Sequence, residues 1–187
     1  MRAITLAATT LMVLALGSPV GAATLLFDLQ GVAGIGLLPG NEPGAVTGGT
    51  GGEIGAGISY DDVTNILSIN VGWGSSQGFT NLSSASNNSH IHGPTTSNNG
   101  AGFTQTAGVL FNLTRSSNLA TGGTITQTVT LTEPQETDLK NGKYYINIHT
   151  ANNGGGEMRG FLVQVPEPSR ALTAMLGLGL LGLRRRR

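Results

Sequence analysis

Cysteine is absent from this 187-residue chain. That excludes disulfides and thiolate metal sites, so packing and backbone hydrogen bonds must hold the fold. Charge is scarce, at 11% of residues, and aromatic residues make up 5%, with Trp73 the single tryptophan. Sustained apolar spacing of three and four is missing between the terminal segments, which excludes a helical bundle or coiled coil there. A nucleophile–base pair and a glycine-rich phosphate cradle are missing too.

Basic residues are also missing from where a nucleic-acid surface would need them. Of the ten, Arg2, Arg170, Arg184, Arg185, Arg186 and Arg187 lie near the chain ends. Residues 24–165 keep Arg115, Lys140, Lys143 and Arg159 against nine acidic residues, a formal charge of about −5. An acidic domain without a basic patch argues against nucleic acid as a partner.

The two ends read as addresses. Residues 1–23 begin with Arg2, continue through an apolar stretch at residues 4–16, and finish on Gly21, Ala22 and Ala23. That is the pattern of a secretory signal peptide cut by signal peptidase. At the other end, Pro166, Glu167 and Pro168 stop any strand or helix. A 13-residue apolar run at 171–183 follows, then Arg184, Arg185, Arg186 and Arg187. At 1.5 Å per residue the run reaches about 20 Å, short of the ~30 Å hydrocarbon core, which suits a transient stop more than a permanent anchor. The arginines should stay cytoplasmic. Residues 166–187 resemble the PEP-CTERM sorting signal of Gram-negative bacteria. The resemblance implies processing by an exosortase, transient inner-membrane anchoring, and delivery to the cell surface or exopolysaccharide matrix.

Between the addresses lie residues 24–165, enough for one domain with a core. Their dominant pattern has a period of two. Leu25, Phe27 and Leu29 form one alternating set, and Leu67, Ile69, Val71 and Trp73 a second. Val109, Phe111 and Leu113 form a third, while Ile125 and Val129 alternate with Thr124, Thr126, Thr128 and Thr130. Residues 144–150 and 157–165 complete the series. Short strands separated by Gly- and Asn-rich turns predict an all-β fold, an antiparallel β-sandwich of Ig-like or Greek-key type. Thr132, Glu133, Pro134 and Gln135 have capping-box spacing, and Gly142 can end a short helix there. Residues 31–57 hold eleven glycines and read as a loop or an irregular strand.

The chemistry-bearing words are Ser89-His90-Ile91-His92-Gly93-Pro94, then Tyr144-Tyr145-Ile146-Asn147-Ile148-His149-Thr150, then Gly156-Glu157-Met158-Arg159-Gly160. On strands, His90 and His92 share a face, as do Tyr145, Asn147 and His149. A hairpin across residues 151–156 would put Glu157 beside His149, on the face of Arg159, provided no bulge intervenes. Two uses follow. His90, His92 and His149, with Glu157, could hold a divalent metal or copper, with oxidoreductase chemistry among its uses. Alternatively the same groups form a structural polar network, with Gly93-Pro94 ending the strand. The network is the simpler reading, since the ligand set needs distant segments to meet.

These three words in this order resemble the CHRD domain, over roughly residues 27–165. The resemblance implies an all-β extracellular domain in which Gly93, Pro94, Thr150, Gly156, Arg159 and Gly160 are motif positions. The expectation is an exported, sorted protein with a structural or adhesive role, whose partners are extracellular polysaccharide or surface proteins and which performs no catalysis. The alternative is a metal-binding extracellular protein using the histidines.

Overall fold

The computed structural model describes residues 23–96, 103–117 and 120–166. The helices expected in the signal peptide and in the sorting segment fall outside these residues. No helix among the described residues is long and apolar enough to cross a membrane.

Among the described residues, nine strands and one α-helix follow in the order β1 (Thr24–Gly31), β2 (Gly34–Ile35), β3 (Gly51–Asp61), β4 (Ile66–Trp73), β5 (Ser86–His92), β6 (Val109–Asn112), β7 (Gly123–Thr130), α1 (Glu133–Lys140), β8 (Tyr145–Thr150) and β9 (Met158–Gln164). The alternating sets form strands as expected, and the core is their apolar face. Phe27, Leu29, Ile58, Leu67, Ile69, Val71, Trp73, Ile91, Ile125, Ile146, Ile148 and Leu162 are all buried in one cluster. Each contributes roughly 1.5–3 kcal/mol relative to exposure. Trp73 belongs to this core, fully enclosed.

The expected two-sheet sandwich needs correction. All strands belong to one antiparallel sheet in the order β6-β5-β8-β9-β1-β3-β4-β7, with β2 hung on β1. The sheet curls into a half-barrel over its own apolar face. Bulges are one cause, because extra residues on one strand bend and twist the ladder. Between Glu53↔Val71 and Ile58↔Ile69, residues 54–57 stand opposite Asn70 alone, and the Asn70 side chain donates to Gly57 O at 3.1 Å. Gly55 and Gly57 sit there at φ +56° and +68°, a region costly for residues with a Cβ. The glycine-rich stretch is thus partly β2 and partly an irregular strand, the second of the two readings allowed above.

The curl brings the two edges close. After β6, Thr114 N donates to Gln127 Oε1 at 2.8 Å, and Gln127 Nε2 donates to Asn112 O at 3.2 Å. One carboxamide on β7 thereby supplies the donor and acceptor that a ladder partner would offer. Helix α1 carries the chain from edge strand β7 back to β8. It starts with the Thr132–Gln135 capping box, ends at Gly142 (φ +65°), and buries Leu139.

Candidate functional site

Strands β5, β8 and β9 are buried on both faces. Their inner face carries Ile91, Ile146, Ile148, Met158 and Leu162. On the outer face the register aligns His92, Tyr145 and Phe161 in one cross-strand row, and His90, Asn147 and Arg159 in the next. His149 follows along β8. A polar face can be buried only if other segments cover and satisfy it. Residues 37–42 and 103–108 do so.

Arg159 is the clasp. Its guanidinium donates to Asn41 O, to Gln105 O at 2.9 Å and to Phe103 O at 2.8 Å, and lies 5.0 Å from the Tyr145 ring centroid. Asn41 returns a bond, with its Nδ2 donating to Arg159 O at 3.0 Å. Glu42 lies 3.8 Å from Arg159 Nε. Burial nevertheless pushes the Glu42 carboxyl up to about 7, against the pull of Arg159.

The three histidines meet, their ligand-capable nitrogens all lying within 4.8 Å of one another. His92 Nδ1 lies 3.0 Å from Ala107 O, and His149 Nδ1 lies 3.0 Å from Gly154 O. A carbonyl only accepts, so each Nδ1 carries its hydrogen and each neutral ring keeps a lone pair on Nε2. His149 Nε2 lies 3.1 Å from His90 Nδ1. His92 Nε2 is buried with no partner. The His92 ring stacks on Tyr145, with centroids 4.9 Å apart and planes 4° from parallel. Burial, together with the neighbouring imidazoles, holds His90 down to about 4, and burial lowers His92 and His149 as well. All three rings are neutral at pH 7, able either to accept hydrogen bonds or to coordinate an ion.

Glu157, expected beside His149, is turned away. Its carboxylate accepts from Gly49 N at 2.9 Å, Ser83 N at 2.7 Å, Ser83 Oγ, Thr150 Oγ1 at 2.7 Å and Asn153 Nδ2 at 3.0 Å. The cause is Gly156, whose φ of +129° breaks strand alternation just before β9. Burial raises the Glu157 carboxyl, and the hydrogen bonds from Ser83, Gly49 and Thr150 outweigh it, so the net shift is downward. Glu157 therefore ties residues 49, 83 and 150–153 together and is not among the clustered groups.

The other motif positions have local reasons. Gly93 and Pro94 end β5 through a cis peptide, and a Cβ on Gly93 would strike the Tyr144 ring. Thr150 serves Glu157. A Cβ on Gly160 would lie 2.8 Å from Gly36 O and 2.9 Å from Leu29 Cβ, so β9 packs there only as glycine. Pro166 closes the described part, while Glu167, Pro168, Arg184, Arg185, Arg186 and Arg187 lie outside it. Sequence reasoning missed Asn41 and Glu42, buried on this face from a glycine-rich stretch with no periodic signal, and the carbonyl partners at Ala107 and Gly154.

The CHRD domain family model matches residues 36–162, well over half the chain. The chain belongs to the CHRD domain family. No curated protein and no solved structure matches it. The family match spans β3 through α1 into β9 and leaves β1, which the fold inserts between β9 and β3, entirely outside. The match suggests an extracellular or secreted domain.

Proposed function

We propose that this CHRD domain works outside the cell as a structural or adhesive module, routed to the cell surface or exopolysaccharide matrix by its C-terminal signal. The observation that carries the reading is the CHRD match at residues 36–162, flanked by segments that read as export and sorting addresses. Signal peptidase removes residues 1–23. An exosortase acts at Pro166, Glu167 and Pro168 while the apolar run and its arginines hold the chain transiently in the inner membrane. Extracellular polysaccharide or surface proteins are the partners. The outer face of β3, β4 and β7 suits them: Ser59, Ser68 and Thr128 form one cross-strand row and Asn70 and Thr126 another, with Thr126, Thr128 and Thr130 exposed. Such a hydroxyl- and amide-rich sheet face offers hydrogen bonds to a hydrated polymer.

Mass spectrometry of both ends of the native protein tests this. The expected termini lie near Thr24 and near the Pro166–Pro168 segment, in the surface fraction. Changing Arg184, Arg185, Arg186 and Arg187 together to alanine should leave unprocessed precursor in the membrane. Release at the parental rate would refute the sorting step, and an intact cytosolic chain would refute export. A second reading, an extracellular metal-binding protein, is favoured by one specific observation, the unpartnered His92 Nε2.

A further inference from the structure

We propose that His90, His92 and His149 form a three-imidazole centre for a first-row divalent ion of the copper–zinc end of the series, with one coordination position left to water or an outside ligand.

A purely structural network leaves one buried group unserved. His90 Nδ1–H can donate to His149 Nε2 across 3.1 Å, which satisfies that pair. Nothing serves His92 Nε2, although His92 is only 9% exposed and its other nitrogen is fully committed to Ala107 O. Three histidines bonded among themselves therefore leave one buried lone pair idle, whereas an ion between them uses all three rings. The rings are also prepared for that role. Carbonyls at Ala107 and Gly154 fix His92 and His149 with Nδ1–H outward and Nε2 toward the cluster, the second-layer arrangement that orients metal-bound histidines. The stack on Tyr145 limits rotation of His92 further.

The geometry suits a small tetrahedral ion. Imidazoles bound at 2.0–2.1 Å around such an ion stand about 3.3 Å apart. The His90–His149 pair is already at 3.1 Å, and no separation within the set exceeds 4.8 Å. The donor set selects among metals. All-nitrogen coordination without carboxylate or thiolate disfavours magnesium and calcium and suits zinc or copper. Glu157 is occupied elsewhere, so three protein ligands leave a fourth position open, as at reactive rather than sealed zinc sites. Asn147, opposite His90 on the next strand, also has a buried Oδ1 without a partner.

The test uses the purified full chain, stripped with a chelator and split between zinc(II) and copper(II) arms, with ion content measured after gel filtration. One ion per chain is expected in at least one arm. His149→Ala should lower affinity at least about 100-fold. His92→Phe keeps the stack on Tyr145 but deletes Nε2, and it should bind at least about 100-fold more weakly while circular dichroism stays native. Cobalt(II) substitution should give the intense visible bands of a four-coordinate site in the parent and lose them in His92→Phe. Absence of stoichiometric ion in both arms would overturn the proposal, as would equal binding by parent and His92→Phe. All readouts are on purified protein, so they stand or fall separately from sorting.

Discussion

Replacing Glu157 tests the physical core of the structure most directly. The carboxylate is completely enclosed and accepts five hydrogen bonds from three chain segments. Two donors, Gly49 N–H and Ser83 N–H, are backbone groups that cannot turn away. In Glu157→Ala both lose their partner, and each unsatisfied buried donor costs about 1–3 kcal/mol. The hydroxyls of Ser83 and Thr150 can rotate toward other acceptors, so they add less. The expected loss is about 3–5 kcal/mol, a large share of the 5–15 kcal/mol that holds a typical domain. Glu157→Gln keeps an oxygen for the two backbone groups, and its new amide can donate to rotated hydroxyls. It loses the charge and the Asn153 contact, for about 1–3 kcal/mol. Trp73, alone of its kind and fully buried, reports unfolding by fluorescence in a urea titration. The pH dependence adds an independent check. Because the folded carboxyl is held below its ordinary 4.5, its contribution is complete above that value and is lost as pH falls through the folded value. Glu157→Gln should therefore flatten the acid limb of the stability curve. An alanine variant within 1 kcal/mol of the parent, or a glutamine variant no better than alanine, would refute the reasoning.

Arg159→Lys keeps the charge but not the fork that reaches Phe103 O and Gln105 O, so it should cost about 2–4 kcal/mol and open residues 103–107 to limited proteolysis; an unchanged cleavage rate would count against the clasp. His90, held at about 4 in the fold against an ordinary 6.5, takes its proton mainly when unfolded, so its contribution is complete above 6.5 and declines as pH falls to 4; His90→Gln, in chelator, should remove that part of the slope. Glu42, raised from 4.5 to about 7, acts with the opposite sign, its contribution present below 4.5 and lost as pH rises through 7, and Glu42→Gln should remove that decline in stability.

The sequence showed β1, β4, β7, β8 and β9 because each has several apolar residues at a spacing of two with polar residues between. It showed α1 because Thr132, Pro134 and Gln135 carry capping chemistry in their own spacing. Strand β5 was nearly invisible. Ile91 is its only apolar residue, and the serines buried beside it, Ser86 and Ser89, satisfy their polar atoms through tertiary partners that no local pattern reveals. Strand β3 was hidden by glycines that mark a bulge rather than a loop. The single curled sheet was beyond reach for the same reason, since sandwich and half-barrel share one alternating code and differ in where bulges bend the ladder. At the site, alternation correctly put His90 with His92, and Tyr145 with Asn147 and His149. It misplaced Glu157 because Gly156 interrupts the strand one residue too early for alternation to hold.

That failure also separates two kinds of buried polarity. Glu157 and Arg159 lie deep, and both meet donors or acceptors drawn from several segments. Their role is to fasten loops to the sheet. The face of β5 and β8 differs. His92 Nε2 and Asn147 Oδ1 are buried there without partners, and Glu42 Oε1 joins them from the covering loop. Folding alone gives no reason to keep such atoms, because apolar residues of similar size would fill the space without the desolvation cost. Strands buried on both faces make the point sharper. Inner-face Ile91 and Ile146 already anchor β5 and β8, so the outer face was free to become a second apolar layer. It has instead become a cluster of neutral imidazoles with one idle lone pair, on His92 Nε2, arranged by backbone carbonyls. Trp73 Nε1 and Tyr144 Oη are also buried without a partner, but His92 Nε2, Asn147 Oδ1 and Glu42 Oε1 gather on one covered face, and a function should be sought there.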